Sequence, residues 1–510
     1  MRNLTVKIII SSIPLIIIIN YILNRYYIDG ARVCDVGWFT YLMTNSMTLE
    51  ILNPLEEVLP ASYLSTHISL FYYPLSLIYQ PISAYITPPL YFAIVMGLFY
   101  SIISLSIFLA GEEFIKDRDR LWLLALSALA ILAPFNGVGL GLIGFPHIEI
   151  AIPALILLFF TLYFRGYRYS SYFAFISLLL IREDAGFHLF SILSLVLILY
   201  FFITKSIREL PKDLIIILIL SLVASISMIF IQKSFFAGDN ALERIYLGTP
   251  HFAHLSYDFI YERLKSFIYN REYIYIPMLL MIPLSIWSRN PFLPLPLIST
   301  LPWFILSIIA INPMPHSFTN YYAFPFIIPS TWAIISFVIM RKALSRLRVP
   351  LYKIATTALL TTGLSIFLFN GAKHYDSRPW NSFNFKYLLK LSTINNLISK
   401  IEKHKQFFGN IMFDETMSSF HIKNLKRLEY CYLNTFGYWQ EDIVNTLIFK
   451  KNSIKIFNIL ANKPKIRNIY IVKDTDIIIA SEYNLSNSQF SSTVELEEIS
   501  YDTLRKKVME

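Results

Sequence analysis

Apolar runs separated by short charged turns occupy most of residues 7–370 and leave the chain few ways to fold. In lipid such a run satisfies its backbone polar groups only as a helix, and a helix takes about 20 residues to cross roughly 30 Å of hydrocarbon. With 55% hydrophobic and 15% charged residues over 510 positions, the chain is too apolar for a large soluble domain and reads as an integral membrane protein. The net charge of +10 does not point to nucleic acid, because Lys and Arg sit in clusters between apolar runs, where they meet lipid head groups or set orientation. Cys34 and Cys431 form neither a disulfide framework nor a zinc pattern and are read as free thiols, with a single bridge left open.

Arg2 and Lys7 precede Ile8 to Leu23 as in a signal peptide, but Asn24-Arg25-Tyr26-Tyr27 follows in place of a small-residue cleavage site. Residues 7–24 are therefore expected to stay as the first span. Residues 25–88 make a large first external loop, in which the aromatic stretch Tyr63 to Pro74 suits an interfacial helix. Ten further spans are expected: Leu90 to Ala110, Leu121 to Phe135, Ile150 to Phe164, Ser170 to Ile181, Phe187 to Thr204, Leu214 to Ile231, Tyr273 to Trp287, Pro291 to Ile311, Tyr322 to Met340 and Ile354 to Asn370. The alternate turns carry Lys116, Arg118, Arg120, Arg165, Arg168, Lys205, Arg208, Lys212, Arg289 and the cluster at 341–348, which the positive-inside rule places in the cytoplasm. The expected fold is an all-α polytopic protein of the cell membrane with about 11 transmembrane helices. Its N-terminus is cytoplasmic and its C-terminal residues extracytoplasmic.

On that map the chemistry-bearing residues share the outer side: Asp35, His67, His147 with Glu149, Glu183 with Asp184, and His316 followed by Tyr321. Asp35 reads either as a solvated charge at a helix end or as part of a site built from several loops. The runs 121–135, 150–164 and 170–181 are too short to cross, so their outer ends should sit below the membrane surface. Pro134, Gly137, Gly139, Gly141, Gly144 and Pro146 lie between the first two and suit irregular backbone lining a water-filled external cavity. Ionisable groups at that depth call for solvent, a partner or a ligand, and the plain reading of Arg182 is that it pairs with a neighbouring carboxylate. The loop 232–272 contains an amphipathic stretch, Tyr257 to Ile268, that reads as a lid or interfacial helix.

Beyond residue 370 the composition shifts. Ile394 to Lys405 has helical spacing, while Gly409 to Phe413, Glu429 to Leu433 and Asn468 to Ala480 read as strands. Residues 371–510 are thus expected to form a small extracytoplasmic α/β domain after a membrane domain of residues 1–370. The tail has no Gly-rich phosphate loop and no nucleophile elbow.

The succession Cys34-Asp35-Val36-Gly37-Trp38-Phe39, Thr66-His67-Ile68-Ser69, Phe145-Pro146-His147-Ile148-Glu149, Arg182-Glu183-Asp184 and His316 leading to Tyr321-Tyr322 resembles an uncharacterised family of polytopic membrane proteins. Asp-Leu-Gly, His-Phe-Ser, Phe-His-Pro-Glu, Lys-Glu-Asp and His-Tyr elements recur there in this order. Val36, the Pro146-His147 order with Ile148 before Glu149, and Arg182 depart from that pattern. The family in turn is similar in layout to the GT-C membrane glycosyltransferases, whose first external loop carries a catalytic Asp. The resemblance implies transfer of a sugar from a polyprenyl-phosphate-linked donor to an external acceptor. Asp35 would be the base, His67 and His316 phosphate or sugar contacts, and Glu149, Glu183, Asp184 and Tyr321 substrate-binding groups. If a divalent ion such as Mn²⁺ or Zn²⁺ takes part, His147, Glu149 and Glu183 are its candidate ligands, with metal-free catalysis equally open. A membrane transporter or flippase and a non-catalytic scaffold are the alternatives. No internal repeat and no charge inside the longer runs favours transport.

Overall fold

Three of the long apolar runs, Leu90 to Ala110, Phe187 to Thr204 and Leu214 to Ile231, each fold within one continuous helix. The computed structural model describes residues 2–29, 34–48, 51, 62–115, 120–144, 146–206, 210–236, 243–344, 349–369, 384–409, 411–413, 428–429, 445–450, 460, 465–473, 475 and 477–509. The first helix, α1 (Arg2–Asn24), widens into a π-helical turn through Asp29. It is followed by α2 (Cys34–Asn45), α3 (Tyr72–Ile82) and α4 (Pro88–Glu112). Helix α4 opens on two prolines, whose missing N–H groups cost nothing in a first turn. A run of shorter helices comes next: α5 (Arg120–Leu132), α6 (Gly137–Ile143), α7 (Ala151–Phe164) and α8 (Arg168–Ile181). Then come the long pair α9 (Ala185–Thr204) and α10 (Lys212–Phe235).

The expected count of eleven spans does not hold. Among the described residues, four helices are by length and composition apolar enough to cross a membrane: Thr5–Tyr27, Pro88–Glu112, Ala185–Thr204 and Lys212–Phe235. The number rises to six if two bent pairs each count as one span, Arg120–Phe135 with Gly137–Ile143 at 48° and Tyr321–Thr331 with Ala333–Ala343 at 50°. The other five runs form apolar helices of 10–17 residues. At 1.5 Å per residue these reach only about 15 to 26 Å, short of the hydrocarbon thickness. Helix α10 leaves Ile216, Ile219, Val223, Ile226 and Phe230 exposed, an apolar skin suited to lipid and not to water.

Each bend has a local cause. In the first, Pro134 lies in a 3₁₀ turn, Ala133–Phe135, and Asn136 leaves helical geometry to cap α6, its Oδ1 accepting from the backbone N–H groups of Val138 and Gly139 at 3.0 and 3.1 Å. A Cβ on Gly139 would stand 2.0 Å from the Pro134 carbonyl oxygen, so only glycine lets the chain fold back this sharply. The second bend follows α11 (Tyr257–Asn270), α12 (Glu272–Ser288), α13 (Leu295–Ile309) and the short α14 (Pro313–Ser317). Pro325 in the 3₁₀ turn Tyr321–Phe326 and Pro329 in α15 (Ile327–Thr331) break the helix before α16 (Ala333–Ala343). The buried Trp332 sits at that joint and donates its indole N–H to the Phe292 carbonyl at 2.9 Å. Helices α17 (Leu351–Ala358) and α18 (Leu364–Phe367), joined by a π-helical turn, complete the run.

By contacts the chain divides into two units. The first comprises Met1–Ile18, Leu64–Phe71 and Ile94–Asn381, and the second Ile19–Tyr63, Tyr72–Ala93 and Ser382–Glu510. In the first, α7 pairs with α8 and α9 with α10. The latter pair approaches closely at Gly186, where a Cβ would lie 2.2 Å from the Ser221 carbonyl oxygen. One end of α7 and α8 is tied by Arg165 to Glu112 at 3.0 Å and Glu113 at 3.1 Å, with Lys7 on Glu112 at 3.0 Å and Arg168 on Asp213 at 2.8 Å. The other end of the same two helices carries Glu149 and Arg182.

In the second unit, α2 packs on α3 through Phe39 stacked with Tyr72, and Trp38 meets Tyr63 edge-on at 5.2 Å. The interfacial helix expected over Tyr63 to Pro74 is not formed. A 3₁₀ turn, Tyr63–Ser65, and non-helical residues, of which Leu64–Phe71 belong to the first unit, precede α3, whose first turn accepts Pro74 at no hydrogen-bond cost. Tyr63, Leu64, Ile68 and Tyr72 are buried, so the stretch packs against protein. Helix α19 (Tyr387–Lys403) joins this unit through a bond from the Tyr387 N–H to Asn24 Oδ1 at 3.1 Å and one from the Tyr27 hydroxyl to Asn395 at 3.1 Å.

Its strands are β1 (Ile411–Phe413), β2 (Leu428–Glu429), β3 (Thr446–Lys450), β4 (Asn468–Val472), β5 (Ile477–Ser481) and β6 (Leu496–Ile499), followed by α20 (Tyr501–Met509). They form one sheet in the order β2-β1-β3-β5-β4-β6, parallel where β1 meets β2 and β3, antiparallel elsewhere. Leu447, Tyr470, Ile479 and Phe490 fill its core.

Candidate functional site

Helix α8 stops at Ile181 because Arg182 adopts extended backbone, φ −163° and ψ 157°, which turns the chain toward α9 in three charged residues. The guanidinium then gathers two carboxylates. Its Nε donates to Asp184 Oδ1 at 2.7 Å, its Nη2 to Asp184 Oδ2, and its Nη1 to Glu149 Oε1 at 2.7 Å. Arg182 suits this because its planar fork bonds one carboxylate bidentately and still reaches another. The other oxygen of Glu149 meets His147 Nδ1, and the His147 ring lies flat on Tyr321 at 3.9 Å. Tyr321 stacks in turn on Tyr322 at 4.2 Å.

Glu183 faces the other way. Its Oε1 lies 2.9 Å from His67 Nδ1, and its Oε2 accepts from the Ile68 N–H at 2.9 Å. The loop carrying His67 is further held by Gln232, whose side-chain amide donates to the carbonyls of Ser65 and Thr66 at 3.2 and 2.8 Å. Exposure grades across the site: Glu149 is 1% exposed, Glu183, Arg182 and Asp184 are 12%, 14% and 17% exposed, and His67 is 25% exposed. Burial pushes the Asp184 carboxyl up, but Arg182 and His188 override it and hold the group well below the usual carboxylate range. Burial works against the Arg182 charge, and Asp184, Glu149 and Glu183 outweigh it.

Of the residues expected from sequence, His67, His147, Glu149, Glu183, Asp184 and Tyr321 fall into this one network. His316 does not join it; it stands in α14 beside Arg263 and Arg271. The backbone of Asp35 lies in the first turn of α2, and its side chain is outside the described residues, as are the Cys34 side chain and Cys431. His147, Glu149 and Glu183 do not converge, since Glu183 turns to His67. Among the described residues no group of three His, Cys, Asp or Glu is placed to hold a metal ion.

Sequence reasoning missed His188, whose Nε2 is 3.7 Å from Asp184 Oδ2 and whose ring lies 4.0 Å from Trp303. Its spacing of four from Asp184 on a helix was the available signal. It also missed Gln232, which nothing short of the tertiary fold reveals.

By fold this is a helical protein with several apolar helices of membrane-spanning character and a mixed sheet near its C-terminus. Neither a protein-family profile nor a curated protein matches the chain. Among solved structures it is similar to the Archaeoglobus fulgidus oligosaccharyltransferase, crystallised with a tethered acceptor peptide containing the NVT sequon. The similarity is 12% identity over 98% of this chain and 76% of that chain, with a TM-score of 0.41.

Proposed function

We propose that the chain is a membrane glycosyltransferase that moves a sugar from a polyprenyl-phosphate-linked donor to an acceptor outside the cell membrane. The observation that carries this reading is the Glu183 and His67 pair, whose imidazole is 25% exposed, set beside the Arg182, Glu149 and Asp184 network at the end of short apolar helices. A carboxylate and an imidazole fixed side by side present an acceptor and a donor to sugar hydroxyls, while the ion pairs behind them set their orientation. In the proposed step, Asp35 takes the proton of the acceptor hydroxyl as the acceptor oxygen bonds the anomeric carbon. The bond from that carbon to the phosphate oxygen breaks, and its electron pair leaves with the lipid phosphate. Glu183 and His67 orient the sugar, with Tyr321 as a further sugar contact; Glu149, Asp184 and Arg182 position them. Glu149 already spends both oxygens on Arg182 and His147, so the expected metal set does not fit, and no step runs through an ion.

The orientation belongs to the same proposal. Lys7, Arg165 and Arg168 gather at one end of α7 and α8, which the positive-inside rule makes cytoplasmic; the Arg182 end is then external. The test is transfer from lipid-linked sugars of a native membrane extract by the purified full chain in nanodiscs, beside Asp35→Asn. Transfer by the wild type that vanishes in the variant supports the reading, and no turnover of any lipid in the pool overturns it.

The two bent helix pairs favour a second reading, a transporter, because broken helices beside ionisable groups also build substrate pathways. Uptake of a polar solute into sealed vesicles without transfer would select it.

A further inference from the structure

Helix α11 starts at a cap, the Ser256 hydroxyl accepting from the Phe259 N–H at 3.1 Å, and presents two unlike faces. Tyr257, Tyr261, Leu264 and Ile268 recur at helical spacing, and all four are exposed. Phe267 lies on the flank of that stripe, about a quarter turn round, where it is buried against Phe304 and Phe318 at 4.9 Å each. An exposed apolar and aromatic stripe on a helix otherwise rich in charge is the pattern of a helix lying in the membrane interface.

Three cationic or potentially cationic groups gather beside it. Arg263 on α11 lies over the Phe259 ring at 4.2 Å, and its Nη1 is buried with no hydrogen-bond partner among the described residues. Arg271, between α11 and α12, donates through Nε to the Ser317 carbonyl at 2.5 Å and through Nη1 to the Asn270 carbonyl at 2.6 Å. That first bond fixes α14, which carries His316, whose Nδ1 is likewise buried and unpartnered among the described residues. Burial first, then the Arg263 charge and more weakly Arg271, hold the His316 imidazole below its ordinary value, against a contact with the Pro313 backbone that raises it. None of them has an ion-pair partner among the described residues, and the nearby Glu262 is taken by Lys265 at 3.3 Å. Arg263, Arg271 and His316 are only partly buried, but a buried donor left without a partner is costly, and a ligand bringing negative charge would satisfy it.

We infer that Arg263, Arg271 and His316 form a binding site for a phosphate carried on a lipid, with the α11 stripe seated among the acyl chains beside it. The stripe selects the lipid source over free phosphate, since an inorganic ion has no use for four exposed apolar side chains. Two guanidinium groups and an imidazole donate to phosphate oxygens, Arg271 from the N–H groups its carbonyl bonds leave over.

The experiment is native mass spectrometry of the full chain released from nanodiscs of phosphate-free monogalactosyldiacylglycerol doped with either phosphatidylglycerol or a polyprenyl monophosphate. Both phosphate lipids should be retained over the galactolipid. Arg263→Gln and Arg271→Gln should each cut that retention roughly tenfold, Arg263→Lys less, and the exposed Lys265→Gln not at all. Ile268→Ser, a change on the exposed stripe, should also weaken retention. Equal retention of galactolipid and phosphate lipids, or equal losses in Lys265→Gln, overturns the site. Thermal stabilisation by inorganic phosphate that matches the phospholipid overturns the lipid assignment. Binding is scored without turnover, so a protein that retains lipid yet transfers no sugar contradicts the proposed reaction and leaves this site standing.

Discussion

Arg182 bonds Asp184 with two nitrogens and Glu149 with a third, so one guanidinium at the end of α8 holds carboxylates from two separate segments of the chain. Glu149 precedes α7 and Asp184 immediately precedes α9, its carboxylate going to Arg182 and not to the helix N–H groups, so the pairing ties together the starts of those helices. Both acids are largely withdrawn from water, which makes the arginine the group whose loss costs most.

Arg182→Met should lower stability by about 3 to 5 kcal/mol, because it takes the guanidinium from two largely buried carboxylates and leaves them only His147 and His188. Arg182→Lys should recover only part of this, since a single ammonium cannot match the bidentate fork. Thermal unfolding of the purified chain measures both. Equal unfolding temperatures for wild type and Arg182→Met would contradict the network.

The Arg182 and Glu149 pair should also be non-additive. Removing both charges as Arg182→Met with Glu149→Gln should cost less than the sum of the single changes, with a coupling of about 1 to 3 kcal/mol. A double-mutant cycle on unfolding free energies reads it directly. Simple additivity would show that the two side chains do not act on each other.

Stability should fall in acid through Asp184. Its carboxyl is held below the usual range, so the folded chain binds fewer protons there than the unfolded chain. The contribution is complete above the unfolded value, about pH 4, and drains away as pH drops through the folded value. Asp184→Asn should therefore be less stable near neutrality and show a flatter decline below about pH 4. An unchanged acid limb in the variant would remove Asp184 from the cause.

The bend between α5 and α6 should depend on two side chains. Asn136→Ala removes the cap on α6 and should cost about 1 kcal/mol. Gly139→Ala should cost more, because its Cβ meets backbone that has no room to yield. If Gly139→Ala unfolds at the wild-type temperature, the fold-back at Pro134 is not as tight as described.

The long helices were legible from the sequence because hydropathy alone decides them. The runs Leu90 to Ala110, Phe187 to Thr204 and Leu214 to Ile231 lie within α4, α9 and α10, which extend two or more residues further at one or both ends. The hairpin strands β4 and β5 were legible too, from β-branched runs flanking a turn. The span count was not, because apolar runs of 12 to 17 residues look alike whether a helix crosses, bends or stops short. Tyr63 to Pro74 misled for a related reason: aromatic residues that suit an interface also suit a protein core, and only packing tells them apart. Within the site, the clustering of His147, Glu149 and Asp184 near Arg182 followed from sequence proximity and helix order. The turn of Glu183 toward His67 did not, since residues 116 apart are joined only by the tertiary fold. Arg263 and Arg271 went unnoticed because a basic residue on an amphipathic helix is usually solvated; what sets them apart is the lack of an ion-pair partner among the described residues.

The most direct test is the rate of sugar transfer by Glu183→Gln, measured with the same lipid-linked donors as the wild type and paired with its unfolding temperature. The amide keeps the shape of the side chain but loses the charge that faces His67, so transfer should fall by about 100-fold or more while unfolding shifts by only a few degrees. Transfer at the wild-type rate in a folded Glu183→Gln protein would contradict a sugar-binding role for the pair.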